Sequence, residues 1–280
     1  MREVTFEQRA EAVSDLCIKA ATRLPPDVAM AIECACDTEP GEAAKAALED
    51  IMENFKCAAA EDIPICQDTG MAVVFAEVGQ DVHIVGGLFD DAVTEGVRRG
   101  YVNGGLRKSV VKDPLRRENT EDNTPPVIHT HLVAGDEIRI TVAPKGFGSE
   151  NKGAMKMFLP SATQKDVEDF IVSVVSDAGA DPCPPVIVGV GLGGTQDMAA
   201  YLAKRAVARP VDKSNPDEFY ATMERRVLRK INALGIGAQG FGGRNTALAV
   251  NIETYPTHIA GMPCAVNIGC HVTRRATCII

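Results

Sequence analysis

The 280-residue sequence carries 29 Lys and Arg against 38 Asp and Glu, a formal net charge of −9, with 45% apolar and 24% charged residues. That balance excludes wholesale disorder, and an acidic chain is poorly suited to non-specific binding of phosphate backbones, so no nucleic-acid partner is expected. Aromatic residues make up only 5% and Trp is absent, so Ala, Val, Ile and Gly must fill the core and backbones are expected to pack closely. No apolar run reaches the roughly 20 residues that span a bilayer. The N-terminal MREVTFEQRAEAVSDLC is amphipathic and has neither an h-region nor a cleavage site. A cytoplasmic location without membrane association is the expectation.

In chain order, Val13, Leu16, Cys17, Ala20, Ala21 and Leu24 follow helical spacing up to Pro25-Pro26, and a second helix is predicted over Asp27–Ala35. Ala44, Ala47, Leu48, Ile51, Phe55 and Ala58 predict a third. The pattern then changes to strands at Met71–Val78 and Val82–Val85, followed by a helix over Phe89–Tyr101. Val127–Val133 and Glu137–Val142 read as strands, with Gly135-Asp136 between them as a hairpin signal. A helix over Val167–Ala178, a short buried strand at Val186–Val190 and a helix over Thr195–Ala208 come next. Asn215-Pro216 predicts the start of a charged helix reaching Asn232, with Asn215 as its N-cap. Strands at Ala247–Ile252 and Ala265–Ile268 complete the reading. The fold expected is α/β, with small mixed β-sheets flanked by α-helices. It is read as one domain over residues 1–280, its helical N-terminal segment (about residues 1–60) packed on the body.

Nine cysteines in a chain of this size do not suggest a disulfide framework, because the count is odd and no secretory context is visible. The ordinary use of a cysteine is as a small buried hydrophobe, the reading given to Cys17, Cys57 and Cys278. Cys34 and Cys36 lie i, i+2 on a helix and point about 200° apart, so they are read as packing residues rather than joint ligands.

Six polar or Gly-rich segments fit no periodicity: residues 65–70 (ICQDTG), 117–131, 144–157, 181–195, 233–246 and 257–270. Such loops add little by burial and more naturally line a site. Cys66 stands before Gln-Asp-Thr-Gly, Cys183 lies among prolines in Asp181-Pro182-Cys183-Pro184-Pro185, and Cys270 ends a strand. Three thiolates from three loops can hold a soft metal or an iron–sulfur cluster, although no CxxC pair anchors such a site.

These segments together resemble the N-terminal, or alpha-subunit, portion of class I iron–sulfur fumarate hydratases and the related L-tartrate dehydratases. The resemblance rests on ICQDTG, DNTPPVIHTH, PKGFGSENKGAMKM, PCPPVIVGVGLGGT and THIAGMPCAVNIGC, and covers residues 5 to 276. It implies a hydro-lyase with a [4Fe-4S] cluster on Cys66, Cys183 and Cys270, leaving one iron open as a Lewis acid toward a small dicarboxylate. It also implies Asp68 as a catalytic base. Gln67, Arg107, Gly148 and His258 become substrate-binding positions, Arg107 because a forked guanidinium matches a carboxylate. Single-chain members carry a second domain with further arginines, a lysine and a threonine. This sequence stops at Ile280, so it resembles the alpha subunit of a two-subunit form, expected to act with a beta subunit as a heterodimer or heterotetramer. Fumarate hydration is the first expectation from the resemblance, and L-tartrate dehydration the alternative. Arg274 or Arg275 stands where the family has an arginine after the third cysteine.

Other readings compete. Gly189-Val-Gly191-Leu-Gly-Gly194 matches a dinucleotide fingerprint, but residues 208–213 do not form the buried strand that should follow. The glycines more naturally permit close packing or let backbone N–H groups face a cluster or an anion. His129 and His131 share a strand face and are read as pocket-lining. Lys145, Lys152 and Lys156 are either a solvated face or an attractor of substrate. Cys264 rivals Cys270 as third ligand. An iron–sulfur electron-transfer subunit, which ordinarily needs four cysteines, and a scaffold without a cluster are the alternatives from other classes.

Overall fold

Thr5 starts the first long helix with a capping box: its hydroxyl accepts the Gln8 N–H, and the Gln8 side chain accepts the Thr5 N–H. The computed structural model describes residues 2–280. In chain order these form β1 (Arg2–Val4), α1 (Phe6–Thr22), α2 (Pro26–Thr38), α3 (Glu42–Glu61), β2 (Met71–Gly79), β3 (Val82–Ile84) and α4 (Phe89–Asn103). There follow β4 (Val127–Val133), β5 (Ile138–Lys145), the single turn α5 (Phe147–Glu150), β6 (Ala154–Phe158) and α6 (Gln164–Ala178). The chain continues through β7 (Val186–Gly193), α7 (Gln196–Ala208), α8 (Glu218–Asn232), a 3-10 turn at Ala238–Gly240, β8 (Ala247–Tyr255), β9 (Met262–Gly269) and β10 (Ala276–Ile279).

The chain separates into two units. The first comprises the chain up to Pro25, Phe55–Phe147 and Arg274–Ile280, and the second Pro26–Asn54 and Gly148–Thr273. In the first, a mixed sheet runs β10-β5-β2-β4, beside a small parallel pair of β1 and β3. Val74, Ala76 and Val78 of β2 and Ile138, Ile140 and Val142 of β5 bury against Val13, Cys17 and Ala20 of α1 and Val93, Val97 and Tyr101 of α4. The predicted hairpin is not formed. β2 lies between the two strands, parallel to β4 and antiparallel to β5. The turn is used differently: the Asp81 N–H bonds to the Gly135 carbonyl and the Gln80 N–H to that of Val133, so the β2–β3 turn occupies the place a hairpin partner would take.

The second unit is built on a sheet of order β6-β9-β7-β8. β7 is apolar on both faces, as a strand covered on both sides must be. Val186, Val188 and Val190 face Val167, Ile171 and Val175 of α6 and Met223 and Val227 of α8. Two of the alternate residues, Gly189 and Gly191, face α7: a Cβ on Gly189 would stand 2.3 Å from the Ala203 carbonyl oxygen, and one on Gly191 2.0 Å from that of Ala199. The dinucleotide-like glycines therefore serve close helix-on-strand packing. The charged helix α8 begins two residues later than the N-cap assignment to Asn215 predicts. Asp217 is the cap, its carboxylate accepting the Phe219 N–H at 2.9 Å, while Asn215 accepts the Asp217 N–H and braces the approach. β6 and β10 lie where no periodicity was visible. Among the described residues no helix is long and apolar enough to cross a membrane.

Candidate active site

In the first unit the loop 66–70 is held from beneath by buried polar groups. The Ile65 N–H bonds to Ala21 O at 3.0 Å, and Ile65 is itself buried, which fixes where the chain leaves α3. Tyr101, fully buried on α4, shares its hydroxyl proton between the carbonyls of Thr69 (2.9 Å) and Gly70 (3.1 Å). Burial pushes this phenol well above its ordinary range, so it remains a donor. Asn123, also fully buried, donates to Gly70 O at 3.1 Å and accepts the N–H groups of Ser109 (2.7 Å) and Val110 (3.2 Å). The Thr69 hydroxyl donates to Arg107 O at 2.9 Å. One frame thus positions both the CQDTG loop and the Arg107 loop. Burial would raise the carboxyl of the adjacent Asp122, but hydrogen bonds from Thr124 and Arg98 overcome it and bring it down to about 2.

On that frame Cys66 is half-buried and Gln67 is exposed, its Oε1 3.4 Å from the Cys66 sulfur. Asp68 accepts the Gly70 N–H through Oδ1 and the Phe147 N–H through Oδ2, both at 3.0 Å. Its backbone carbonyl receives a hydrogen bond from the buried Arg274. Arg107 is exposed and its guanidinium enters no ion pair among the described residues. Sequence reasoning missed Tyr101, Asn123 and the role of Arg274. Only DNTPP, where Asn123 sits, carried a local signal.

In the second unit Cys183 is exposed between the buried Pro182 and Pro184, with φ +55, a left-handed conformation that a non-glycine residue adopts at a cost of about 1 kcal/mol or more. Cys270 is half-buried at the end of β9, where its carbonyl accepts the Thr273 N–H and hydroxyl at 2.9 and 2.7 Å. The two segments meet: the N–H of His271 donates to Cys183 O at 3.2 Å. Gly148 is exposed, and a Cβ there would meet only Asp181 O at 4.0 Å, so its backbone faces open space. His258 is exposed, with Nδ1 accepting the Ala260 N–H at 3.1 Å.

The remaining thiols sort by burial. Cys17 and Cys264 lie in the two cores, and burial pushes each up to about 12, so both stay protonated. Cys264 faces α6 and α8 from the middle of β9 and is a core residue. Cys36 is buried, but Cys34 and Cys57 are exposed, contrary to a packing role. Each lies two residues from a core position, Cys34 from Ile32 and Cys57 from Phe55, and therefore on the opposite side of its helix. Cys278 is half-buried. Lys152 pairs with Asp181 at 2.5 Å, Lys156 lies 4.7 Å from the centre of the Phe158 ring, and Lys145 is buried, so the three do not form a solvated basic face. His129 stacks on Phe75. Among the described residues no group of three or more His, Cys, Asp or Glu stands close enough to hold a single metal ion. Thiolates on a cubane each bind a different iron. The donor set suits such a cluster in kind: Cys183 and Cys270 are on joined loops outside the core, while the buried thiols are held protonated.

The sequence pattern described as fumarate hydratase (Fumerase) matches residues 10–279. The chain belongs to the fumarate hydratase family. A Methanocaldococcus jannaschii protein, provisionally named as the alpha subunit of an L(+)-tartrate dehydratase, is 40% identical over 273 residues, 95% of each chain. The L(+)-tartrate dehydratase subunit alpha of Escherichia coli O157:H7 is 30% identical over 282 residues, covering all of this chain and 93% of its own. That of Escherichia coli strain UTI89 is 31% identical over 279 residues, 99% of this chain and 92% of its own. Family membership thus rests on nearly the whole sequence.

Proposed function

We propose that this chain is the alpha subunit of a hydro-lyase that removes water from L-tartrate, working with a beta subunit. The names of the relatives favour tartrate over fumarate, which the motifs alone placed first. The observation that carries the hydro-lyase reading is the sorting of thiols: the Cys183 and Cys270 segments are hydrogen-bonded together outside the core, while the rival Cys264 is buried and protonated.

Cys66, Cys183 and Cys270 are the residues that would hold a [4Fe-4S] cluster. When bound, such a cluster supplies a Lewis-acidic iron with an open position for a hydroxyl and a carboxylate. The exposed Arg107 guanidinium takes a substrate carboxylate in a forked pair. Gln67 adds amide hydrogen bonds beside it, and the bare backbone of Gly148 admits close approach. Asp68 receives the proton from the substrate carbon on a carboxylate lone pair not engaged by Gly70 or Phe147. Its two backbone hydrogen bonds fix the carboxylate's orientation before substrate arrives. His258 binds at the edge of the substrate position.

The test is anaerobic reconstitution of the chain together with its beta subunit, with iron and sulfide counted and both substrates assayed. Oxaloacetate formed from L-tartrate faster than malate from fumarate is the expected result. Cys66→Ser, Cys183→Ser and Cys270→Ser should each lose iron, while Cys34→Ser and Cys264→Ala keep it. A cluster whose EPR spectrum ignores both substrates would instead mark an electron carrier.

A further inference from the structure

Gln239 and His271 belong to no motif that the proposed chemistry uses, yet the structure ties both to the cysteine loops of the second unit. Gln239 sits in the 3-10 turn after α8 with φ +52 and ψ +15, again left-handed for a residue with a side chain. The reward for that conformation is two hydrogen bonds to one acceptor. The Gln239 N–H and the Gln239 side-chain Nε2 both donate to the Pro184 carbonyl at 2.8 Å. His271 does the same one residue earlier: its N–H (3.2 Å) and its ring Nδ1 (2.9 Å) both reach the Cys183 carbonyl.

The ring tautomer follows from the acceptor. A carbonyl oxygen only accepts, so Nδ1 must carry the proton. Gln239 Nε2 lies 3.2 Å from Nδ1, and two donors thus stand side by side, each aimed at one of two consecutive carbonyls. The turn is also wedged in place, since a Cβ on Gly240 would stand 2.5 Å from the Ala180 side chain, and Ala180 O is the acceptor for the Cys183 N–H.

We infer that Gln239 and His271 form a clasp that fixes the Cys183 segment against the Cys270 segment, and so sets the spacing of two of the three proposed thiolate ligands. They are positioning residues: neither is a ligand, and each acts through a backbone carbonyl. The inference rests on the cluster reading above, because a fixed spacing matters for thiolates that must grip one group.

The experiment uses the full chain, as wild type, Gln239→Glu and His271→Phe. Gln239→Glu keeps the shape but aims a carboxylate oxygen at the Pro184 carbonyl, and His271→Phe keeps a ring without a donor. Amide hydrogen exchange at positions 239 and 271 in the iron-free chain reads the clasp directly and should quicken at least several-fold in both variants. After anaerobic reconstitution, iron loss to a chelator should be on the order of tenfold or more faster in the variants. The EPR g-values of the reduced cluster should shift while circular dichroism stays unchanged. Unchanged exchange overturns the clasp whatever the iron does. Quickened exchange with wild-type iron retention and g-values overturns its role toward the ligands. A wild-type chain that never takes up iron even with its beta subunit present, with exchange still quickened in the variants, supports the clasp and defeats the cluster reading instead.

Discussion

The cysteine loop of the first unit and the glycine-rich segment that carries Gln239 in the second are anchored with opposite chemistry. In the first, buried donors capture carbonyls: Tyr101, Asn123 and Arg274 seize the oxygens of residues 68 to 70. In the second, a buried acceptor gathers N–H groups. The Glu39 carboxylate accepts the N–H groups of Gly41, Arg244 and Asn245 and the Asn245 side chain, holding the glycine-rich segment that carries the 3-10 turn. Burial works against the Glu39 charge, but these donors outweigh it and hold the group below the ordinary carboxylate range. A loop with bare carbonyls needs donors beneath it, and one with bare N–H groups needs an anion. The contrast gives the first loop a largely neutral support and the second a charged one.

The largest effect expected from breaking this contrast is at Glu39. Glu39→Ala strands several part-buried N–H groups at once and should cost about 3–4 kcal/mol, read by urea unfolding followed through amide exchange, since the chain has no Trp to report. A loss below 1 kcal/mol would show that water replaces the carboxylate. Asn123→Ala removes three buried hydrogen bonds and should cost about 2–3 kcal/mol, with the greatest gain in exchange at Ser109 and Val110. Acid sharpens the comparison further. The folded values of both Asp122 and Glu39 are depressed, so each contributes stability that is complete above the unfolded value and is lost as pH falls toward the folded one. For Asp122, between its ordinary 3.8 and about 2, the amount is about 2 kcal/mol, and Asp122→Asn should flatten that part of an acid titration of stability. Smallest is Tyr101→Phe, about 1 kcal/mol, because the Gly70 carbonyl keeps Asn123 as a donor and only Thr69 O loses its partner there. A larger loss would mean that the hydroxyl organises the loop alone.

Much of this fold was visible in the pattern of side chains. The helices α1, α3, α4 and α6 and the buried strands β2 and β7 announce themselves because packing demands apolar residues at fixed intervals. β6 and β10 did not, since they lie at sheet edges and have largely exposed residues, which removes the constraint that would write a period. The placement of β2 between β4 and β5 was likewise hidden, because a turn signal records a local bend and not which strand pairs beyond it. The site divides in the same way. The segments proposed for it stood out as polar loops, and the cysteines within them by their neighbours. Asn123, Gln239 and His271 act across 13 to 88 residues of chain through backbone carbonyls or N–H groups, and apart from the DNTPP motif around Asn123 such partners leave no local trace.

The contact between β7 and α7 has a consequence for anyone who would redesign this molecule. A hydrogen atom is all that separates Gly189 and Gly191 from the peptide oxygens of the helix above them. No amino acid offers a finer adjustment than a methyl group, so neither position can be tuned in steps. Altering that layer means translating the whole rod of α7 outward, and every loop hung from its two ends would travel with it.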